Sequence, residues 1–567
     1  MGVGLPFNPY RAILCLFIAL ILVFGFFTHV SDVPLYGKLT VVQFTPTSYD
    51  WANHSFQHPI PRENMTYPPR GDPHELPSIQ HQFFRPPEEG EQKDALNDKR
   101  SDVRRAFRRS WYAYEQYAWG HDELRPLSLT GHDNLGGWGA SMIDALDTLW
   151  LMDMESEFHE AVRYVVKIDW NQTVGDSFDV FETTARHLGG LLSAYELSEE
   201  KGLLHKAIEL GDLLYAAFDN EEHIPSRKMT FEDHKQGKGR PDTKSSASEL
   251  GSMSLEFTRL SQLTDDPKYY DVVNRIAQSF DRTQNSTLLP GLWPTQINAR
   301  DDFRPDGDTF NFADDSSSLY NNIVKEYVFL QGQEPMYKKM YQDAVDTIIG
   351  HLLFRPILLG EADLLMLGQA EVVSSSIKHF HAQLDHASCS AGGMIALGGK
   401  VFGHDEHVVY GDKLARACAY AYSVFPHAIM PDSSLLQACP DLKPCEYRPN
   451  SGARPAGFRV REGKYTLRPE AIESVFILYR ITGNEDYRAL AWDMWESIKR
   501  TTKTDEAFAA VEDVTKEQTK HVDEMGSYWM GETLKYFYLM FSDEDLLNLD
   551  RWVFSTGGHA MRKTGSS

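Results

Sequence analysis

Cysteine is scarce, five in 567 residues and no two of them at CxxC spacing, so no zinc-ribbon pattern is present. Basic residues are outnumbered, 56 Lys and Arg against 81 Asp and Glu, and a formal charge of −25 repels phosphate backbones. Nucleic acid is thereby excluded as a partner. Long acidic runs are also missing, so the charge reads as the solvated face of a soluble body. Strand signals are sparse. The one long apolar run is Ala12–Phe27 (AILCLFIALILVFGFF), which carries no charged residue.

That run predicts a membrane-targeting segment. No small-x-small cleavage site follows it, since the next residues are Thr28, His29 and Val30. The expectation is an uncleaved signal anchor within residues 1–33, a short cytosolic tail and a lumenal remainder, as in a single-pass type II protein of the endoplasmic reticulum or Golgi. Residues 34–100 are rich in Pro, His, Asn and charge without sustained periodicity, and are expected to form a flexible lumenal stem. Sequons at Asn53, Asn64, Asn171 and Asn285 agree with that address. With Cys15 in the anchor, Cys389, Cys418, Cys439 and Cys445 remain; an even number in an oxidising compartment predicts two disulfides, with three connectivities open.

From Ser101 onward apolar residues recur at i, i+3, i+4 and i+7, as in 181–197, 250–263, 471–481 and 531–541, which predicts amphipathic helices. Two of these helices end in a similar phrase, Ser261-Gln-Leu-Thr-Asp-Asp-Pro-Lys-Tyr and Tyr479-Arg-Ile-Thr-Gly-Asn-Glu-Asp-Tyr, each leading into another helix. The repeat is a helical hairpin. Acidic residues stand near the start of successive first helices: Glu182, Glu249, Asp385, Glu470 and Glu532. Each alone is an ordinary helix amino-terminal carboxylate. Recurring at an interval of roughly one hairpin, they predict a closed all-α toroid whose inner helices bring the acids to one rim. Residues 101–567 would hold roughly seven such hairpins. Clustered carboxylates suit glycoside cleavage, which needs one protonated acid and one ionised base held apart in pKa.

Seven segments appear in order: Asp122-Glu-Leu-Arg-Pro, Gly136-Gly-Trp-Gly, Asp144-Ala-Leu-Asp-Thr-Leu, Val180-Phe-Glu-Thr-Thr-Ala-Arg-His, Glu249-Leu-Gly-Ser, Leu467-Arg-Pro-Glu-Ala-Ile-Glu-Ser and Gly531-Glu-Thr-Leu-Lys-Tyr. Together they resemble class I α-1,2-mannosidases, glycoside hydrolase family 47. The resemblance implies an (α/α)7 barrel and calcium-dependent, inverting removal of terminal α-1,2-linked mannose from high-mannose N-glycans. It implies Glu182 as general acid with Arg186 beside it, Glu470 as general base with Arg468 in the sugar site, and Thr556 as the calcium ligand. Glu249, Glu473 and Glu532 would hold the metal's waters and the sugar; Asp385, His386 and Tyr528 would line the glycan pocket. It also implies a Cys389–Cys418 disulfide, leaving Cys439 with Cys445. A zinc site at His379, His381 and His386 lacks ligands at helical spacing and is set aside.

The chain also departs from the family pattern. Where the family carries a third catalytic Asp, a gapless match on Tyr320 gives Ser317 and a two-residue slip gives Asp315; the sequence leaves both open. Asp432 stands for a family Glu and is assigned to the catalytic set. Gly557 and Gly526 stand where the family has Glu, which removes acidic support from the metal. These losses sustain an alternative, a mannose-glycan-binding protein with weakened or no turnover.

Overall fold

The computed structural model describes residues 44–71, 74–83, 90–358, 363–445 and 457–563. The predicted anchor lies outside the described residues, and among those described no helix is long and apolar enough to cross a membrane.

The repeated turn phrase is where the chain reverses. Ser254–Thr264 ends at Asp265 in the left-handed region, φ 57°, and the Asp266 carboxylate accepts from Lys268 N–H as Pro267 opens the return helix. Pro is suited to that first position, where no intrahelical donor is needed. Glu470–Thr482 ends likewise at Gly483, φ 69°, a conformation that glycine adopts freely.

Among the described residues fourteen helices alternate between two layers. The outer ones are α1 (Glu91–Tyr117), α3 (Glu155–Val165), α5 (Lys201–Tyr215), α7 (Pro267–Thr283), α9 (Pro335–His351), α11 (Asp405–Val424) and α13 (Asp486–Thr502). The inner ones are α2 (Leu146–Leu151), α4 (Gly189–Ser198), α6 (Ser254–Thr264), α8 (Ser317–Phe329), α10 (Ser390–Phe402), α12 (Glu470–Thr482) and α14 (Leu534–Met540). Each inner helix packs on the next, and the π-helical turn Trp529–Thr533 ahead of α14 returns to α2, closing the ring. Outer helices are amphipathic, whereas inner helices are buried nearly all round because both faces are covered. Leu191, Leu255, Phe257, Ile395, Phe476 and Phe537 are fully or almost fully buried, each stabilising by about 2–3 kcal/mol.

Short antiparallel ladders fix where the inner segments start. Phe178–Asp179 pairs with Lys228–Met229, Ser245–Ser246 with Gln296–Asn298, and Gln383–Asp385 with Ser433–Leu435. The acidic side chains next to these ladders are thus held at one end of the ring. A longer hairpin, β1 (Gln369–Val373) and β2 (Ser376–His381), sets Glu371 opposite His379. At the carboxyl terminus β3 (Trp552–Phe554) and β4 (Ala560–Arg562) form a hairpin whose connection, Ser555–His559, plugs the barrel.

Two expectations are corrected. Helix α1 starts at Glu91, ten residues ahead of the expected body. The described part of the 34–100 segment is a strap on the barrel rather than a flexible stem. Thr47 Oγ1 donates to Asp169 (2.7 Å), Gln57 and His58 N–H to Asp219, Thr66 N–H to Asp271 and Ile79 N–H to Asp550, while Trp51 and Ile79 are 2% and 1% exposed. The strap carries no periodicity because its backbone donors go to carboxylates on distant segments rather than to a ladder of its own.

Candidate active site

Glu182 lies at the end of a short helical turn, Val180–Glu182, where the Asp179 carboxylate accepts its N–H. The chain then runs through a π-helical stretch, Thr183–Leu188. The wider turn carries Arg186 back onto the acid: its Nε donates to Glu182 Oε2 at 2.7 Å. Its Nη1 reaches Ser527 Oγ at 3.3 Å, Asp144 Oδ2 at 3.5 Å and Glu532 Oε1 at 3.8 Å. A second π-turn, Trp529–Thr533, presents Glu532. Single π-turns of this kind concentrate at functional sites. Burial, then the charge of Asp144, push the Glu532 carboxyl up to about 8 despite Arg186.

Glu470 opens α12, and Pro469 before it supplies the cap position. Arg468 donates to its Oε1 through Nε (3.0 Å) and Nη2 (2.8 Å), and His386 Nδ1 meets Oε2 at 2.9 Å. Burial would raise this carboxyl, but Arg468 and then His386 outweigh it and hold it well below the usual carboxylate range. Glu532 feels the charges of both Glu470 and Arg186, so the two halves share one pocket. Tyr528 closes a side, with Arg186 5.3 Å above its ring and its hydroxyl donating to Thr466 O.

Arg468 also contacts the segment left open in the sequence. It engages both oxygens of Asp314 and, at 3.2 Å, Asp432 Oδ1. Asp315 turns the other way. Its carbonyl accepts from Ser248 N–H, and its carboxyl, raised by burial and then by Asp314, faces Arg227. Ser317 is the buried first residue of α8. The third carboxylate at this arginine is therefore Asp314, which sequence reasoning passed over. The run of polar residues Asp314–Ser318 offered no local signal to choose among them.

Other assigned residues split. Glu249 sits in a capping box with Ser246 and meets Arg227 at 3.0 Å, which also faces Asp179; it lies on the rim. Asp385 accepts twice from Gln383 Nε2 and feels Asp314 and Asp432. His386 is corrected: 1% exposed, it stands behind Glu470 with Nε2 on Tyr422, a support and not a wall of the pocket. Glu473 pairs with Lys325 at 3.0 Å. Both disulfides, Cys389–Cys418 and Cys439–Cys445, are formed. His379 and His381 lie on the exposed β2 edge, away from His386, and among the described residues no three His, Cys, Asp or Glu are grouped to hold a metal directly.

The Ser555–His559 connection enters the pocket floor. Thr556 Oγ1 donates to Asn322 Oδ1 at 3.3 Å, and a Cβ at Gly558 would sit 3.2 Å from Glu532 Cγ. A Cβ at Gly557 would come within 2.7 Å of Ala185 O. The backbone itself therefore leaves no room for the carboxylate that the family places there.

A model for glycosyl hydrolase family 47 matches residues 106–563. The chain belongs to glycosyl hydrolase family 47. Among its relatives in the family is human mannosyl-oligosaccharide 1,2-alpha-mannosidase IB, 32% identical over 481 residues, covering 82% of this chain and 70% of that one. Another is mannosyl-oligosaccharide 1,2-alpha-mannosidase MNS1 of Arabidopsis thaliana, 30% identical over 83% of this chain and 80% of its own. The alpha-1,2-mannosidase from Trichoderma reesei superposes with a TM-score of 0.75 at 28% identity, covering 82% of this chain and 99% of that one.

The family-47 pocket floor is an oxygen environment. Glu256 is fully buried with the Ser555 hydroxyl as the polar side chain facing it, and Glu326 Oε2 has no hydrogen-bond partner. Burial raises Glu256 and Glu326 to about 7 each. Incompletely paired buried carboxylates around a threonine fit a hard cation held through few direct ligands and several waters.

Proposed function

We propose that the chain is a calcium-dependent α-1,2-mannosidase that acts on high-mannose N-glycans with inversion, anchored in a membrane of the secretory pathway with its body in the lumen. The observation that carries this reading is the contrast between two carboxylates on one pocket. Glu470 is fixed as an anion by Arg468 and His386, the state a general base needs to take a proton from water. Glu182 is engaged by Arg186 through Oε2 alone, which leaves Oε1 to serve the departing glycosidic oxygen as acid.

Arg468, held by Asp314 and Asp432, orients the base and presents guanidinium donors to sugar hydroxyls. Tyr528 offers an aromatic wall. Thr556 would hold the calcium, with Glu473 and Glu532 accepting from its waters; bound there, calcium supplies a positive charge that orients hydroxyls and lowers the pKa of water. The two disulfides support a lumenal address.

The test is mannose release from an α-1,2-linked high-mannose N-glycan by the lumenal portion, with and without a chelator. Release that stops with chelator, with Glu182→Gln and with Glu470→Gln, each by a factor of about 10² or more, supports the enzyme. Glycan binding without release would instead support the lectin reading, which the side-chain-free Gly557 favours.

A further inference from the structure

Behind the pocket lies a row of charges that the reaction as described leaves unused. Lys535 Nζ meets Asp147 Oδ2 at 2.7 Å; His559 Nδ1 meets the same oxygen at 3.0 Å; His559 Nε2 meets Asp144 Oδ1 at 3.0 Å. All four side chains have no exposed surface. With both ring nitrogens on carboxylates, His559 is a two-donor imidazolium, and two cations balance two anions. Such a set is costly to bury unless every member is paired, and here each is: Ser193 Oγ adds a bond to Asp147, and Lys535 also donates to Gly558 O.

The row is not sealed off. Asp144 Oδ2 accepts from Ser527 Oγ, and that hydroxyl accepts from Arg186 Nη1, which lies 3.5 Å from the same carboxylate oxygen. Gly531 permits the approach, since a Cβ there would fall 2.5 Å from Asp144 Cγ. Four segments converge on one guanidinium.

We propose that Asp144 and His559 are positioning residues: the buried Lys535–Asp147–His559–Asp144 ladder fixes the Arg186 guanidinium and, through it, sets how readily Glu182 yields its proton. The inference rests on Glu182 acting as the acid. The titratable groups facing Arg186 are Glu182 and the neutral, buried His187 from its own segment, Glu123 from the strand Glu123–Arg125, Asp144, and Glu532 from its π-turn; Glu182 also faces Asp179. Removing the Asp144 charge leaves Glu182, at 2.7 Å, as the nearest carboxylate to Arg186 and shifts the guanidinium toward it, which favours the ionised acid. Removing the His559 charge leaves Asp144 uncompensated, and Asp144 then draws Arg186 off Glu182. The two changes act in opposite directions, which loss of packing alone would not do.

The experiment measures kcat and KM for mannose release from an α-1,2-linked mannobiose between pH 4.5 and 8.5, with excess calcium, for wild type, Asp144→Asn and His559→Gln, each checked for folding by a thermal melt. Asp144→Asn should move the alkaline limb of kcat down by about one pH unit, a tenfold loss on that limb, and His559→Gln should move it up. Limbs that stay in place, or that move together, overturn the proposal. A crystal structure of Asp144→Asn serves if His559→Gln does not fold or if the wild type releases no mannose. Arg186 displaced from Ser527 toward Glu182 supports the ladder, and an unmoved guanidinium overturns it whatever the activity. Absence of wild-type release by itself counts against the mannosidase reading only.

Discussion

His559 makes stability depend on pH with a sign and a size that can be worked out. Burial alone would lower its pKa, but Asp147 and Asp144 push it up to about 9, from 6.5 for a free imidazole. A folded-state value above the unfolded one means that the stabilisation is complete below pH 6.5 and is lost as pH rises through about 9. A shift of this size corresponds to about 3 kcal/mol, and no screening discount applies because the ring is fully buried. Glu532 and Glu123, raised chiefly by burial to about 8 and about 7, penalise the folded state over pH 4.5 to 8, so the wild type also loses stability on that account. Comparison with a variant removes the Glu123 contribution, and that of Glu532 apart from the smaller effect His559 has on it. Urea midpoints of wild type and His559→Gln should show wild type ahead at pH 6 by about 3 kcal/mol more than at pH 9.5. A gap independent of pH would show that the imidazole is neutral in the folded protein and that the ladder is not ionic.

Asp314→Asn should lower kcat about tenfold, because Arg468 loses the charge that holds it against Glu470; Asp315→Asn, whose carboxyl faces Arg227, should stay within about twofold in the same assay. Gly557→Ala should cost about 1–3 kcal/mol in urea unfolding, with activity falling further as the displaced Ala185 carbonyl carries Arg186 with it. Trp51→Ala should cost about 3–5 kcal/mol and expose the strap to limited proteolysis at 44–60 while the barrel survives; cleavage no faster than in wild type would mean that the strap is held without its buried tryptophan.

Much of the barrel could be read in advance because its hairpins repeat a turn with a mechanism. Asp266 as cap, Pro267 at the first position and Gly483 past the end each mark a boundary through local backbone chemistry. The acids at the inner-segment starts were legible for the same reason, since Glu182, Glu249, Glu470 and Glu532 sit in the first turn of their segments and Asp385 immediately precedes its own. The strap was not, because its order comes from Asp169, Asp219, Asp271 and Asp550, each more than 100 positions away in the chain. No window of sequence around residue 50 contains that information.

The pocket shows a different limit, one of register. A 3.6-residue period predicts the face a residue occupies, and it gives Glu182 and Arg186 one turn apart. It does not predict that residues 183–188 and 529–533 widen into π-turns. One extra residue per turn rotates the helix beyond it, which changes the partners that Arg186 and Glu532 meet without altering the periodic pattern of the long helices on either side. Asp144 and Asp147 are the two carboxylates of a largely apolar stretch, Ser141–Leu151, which entered the sequence reading only as a family motif. Charges in such a run must be paired once buried, so the sequence demanded cations for them. Which cations was a matter of ring closure: Lys535 and His559 reach Asp147 only because the last inner helix packs back against the first and the terminal hairpin fills the hole between them. The pairing partners of those acids are therefore a property of the closed barrel and of no shorter segment.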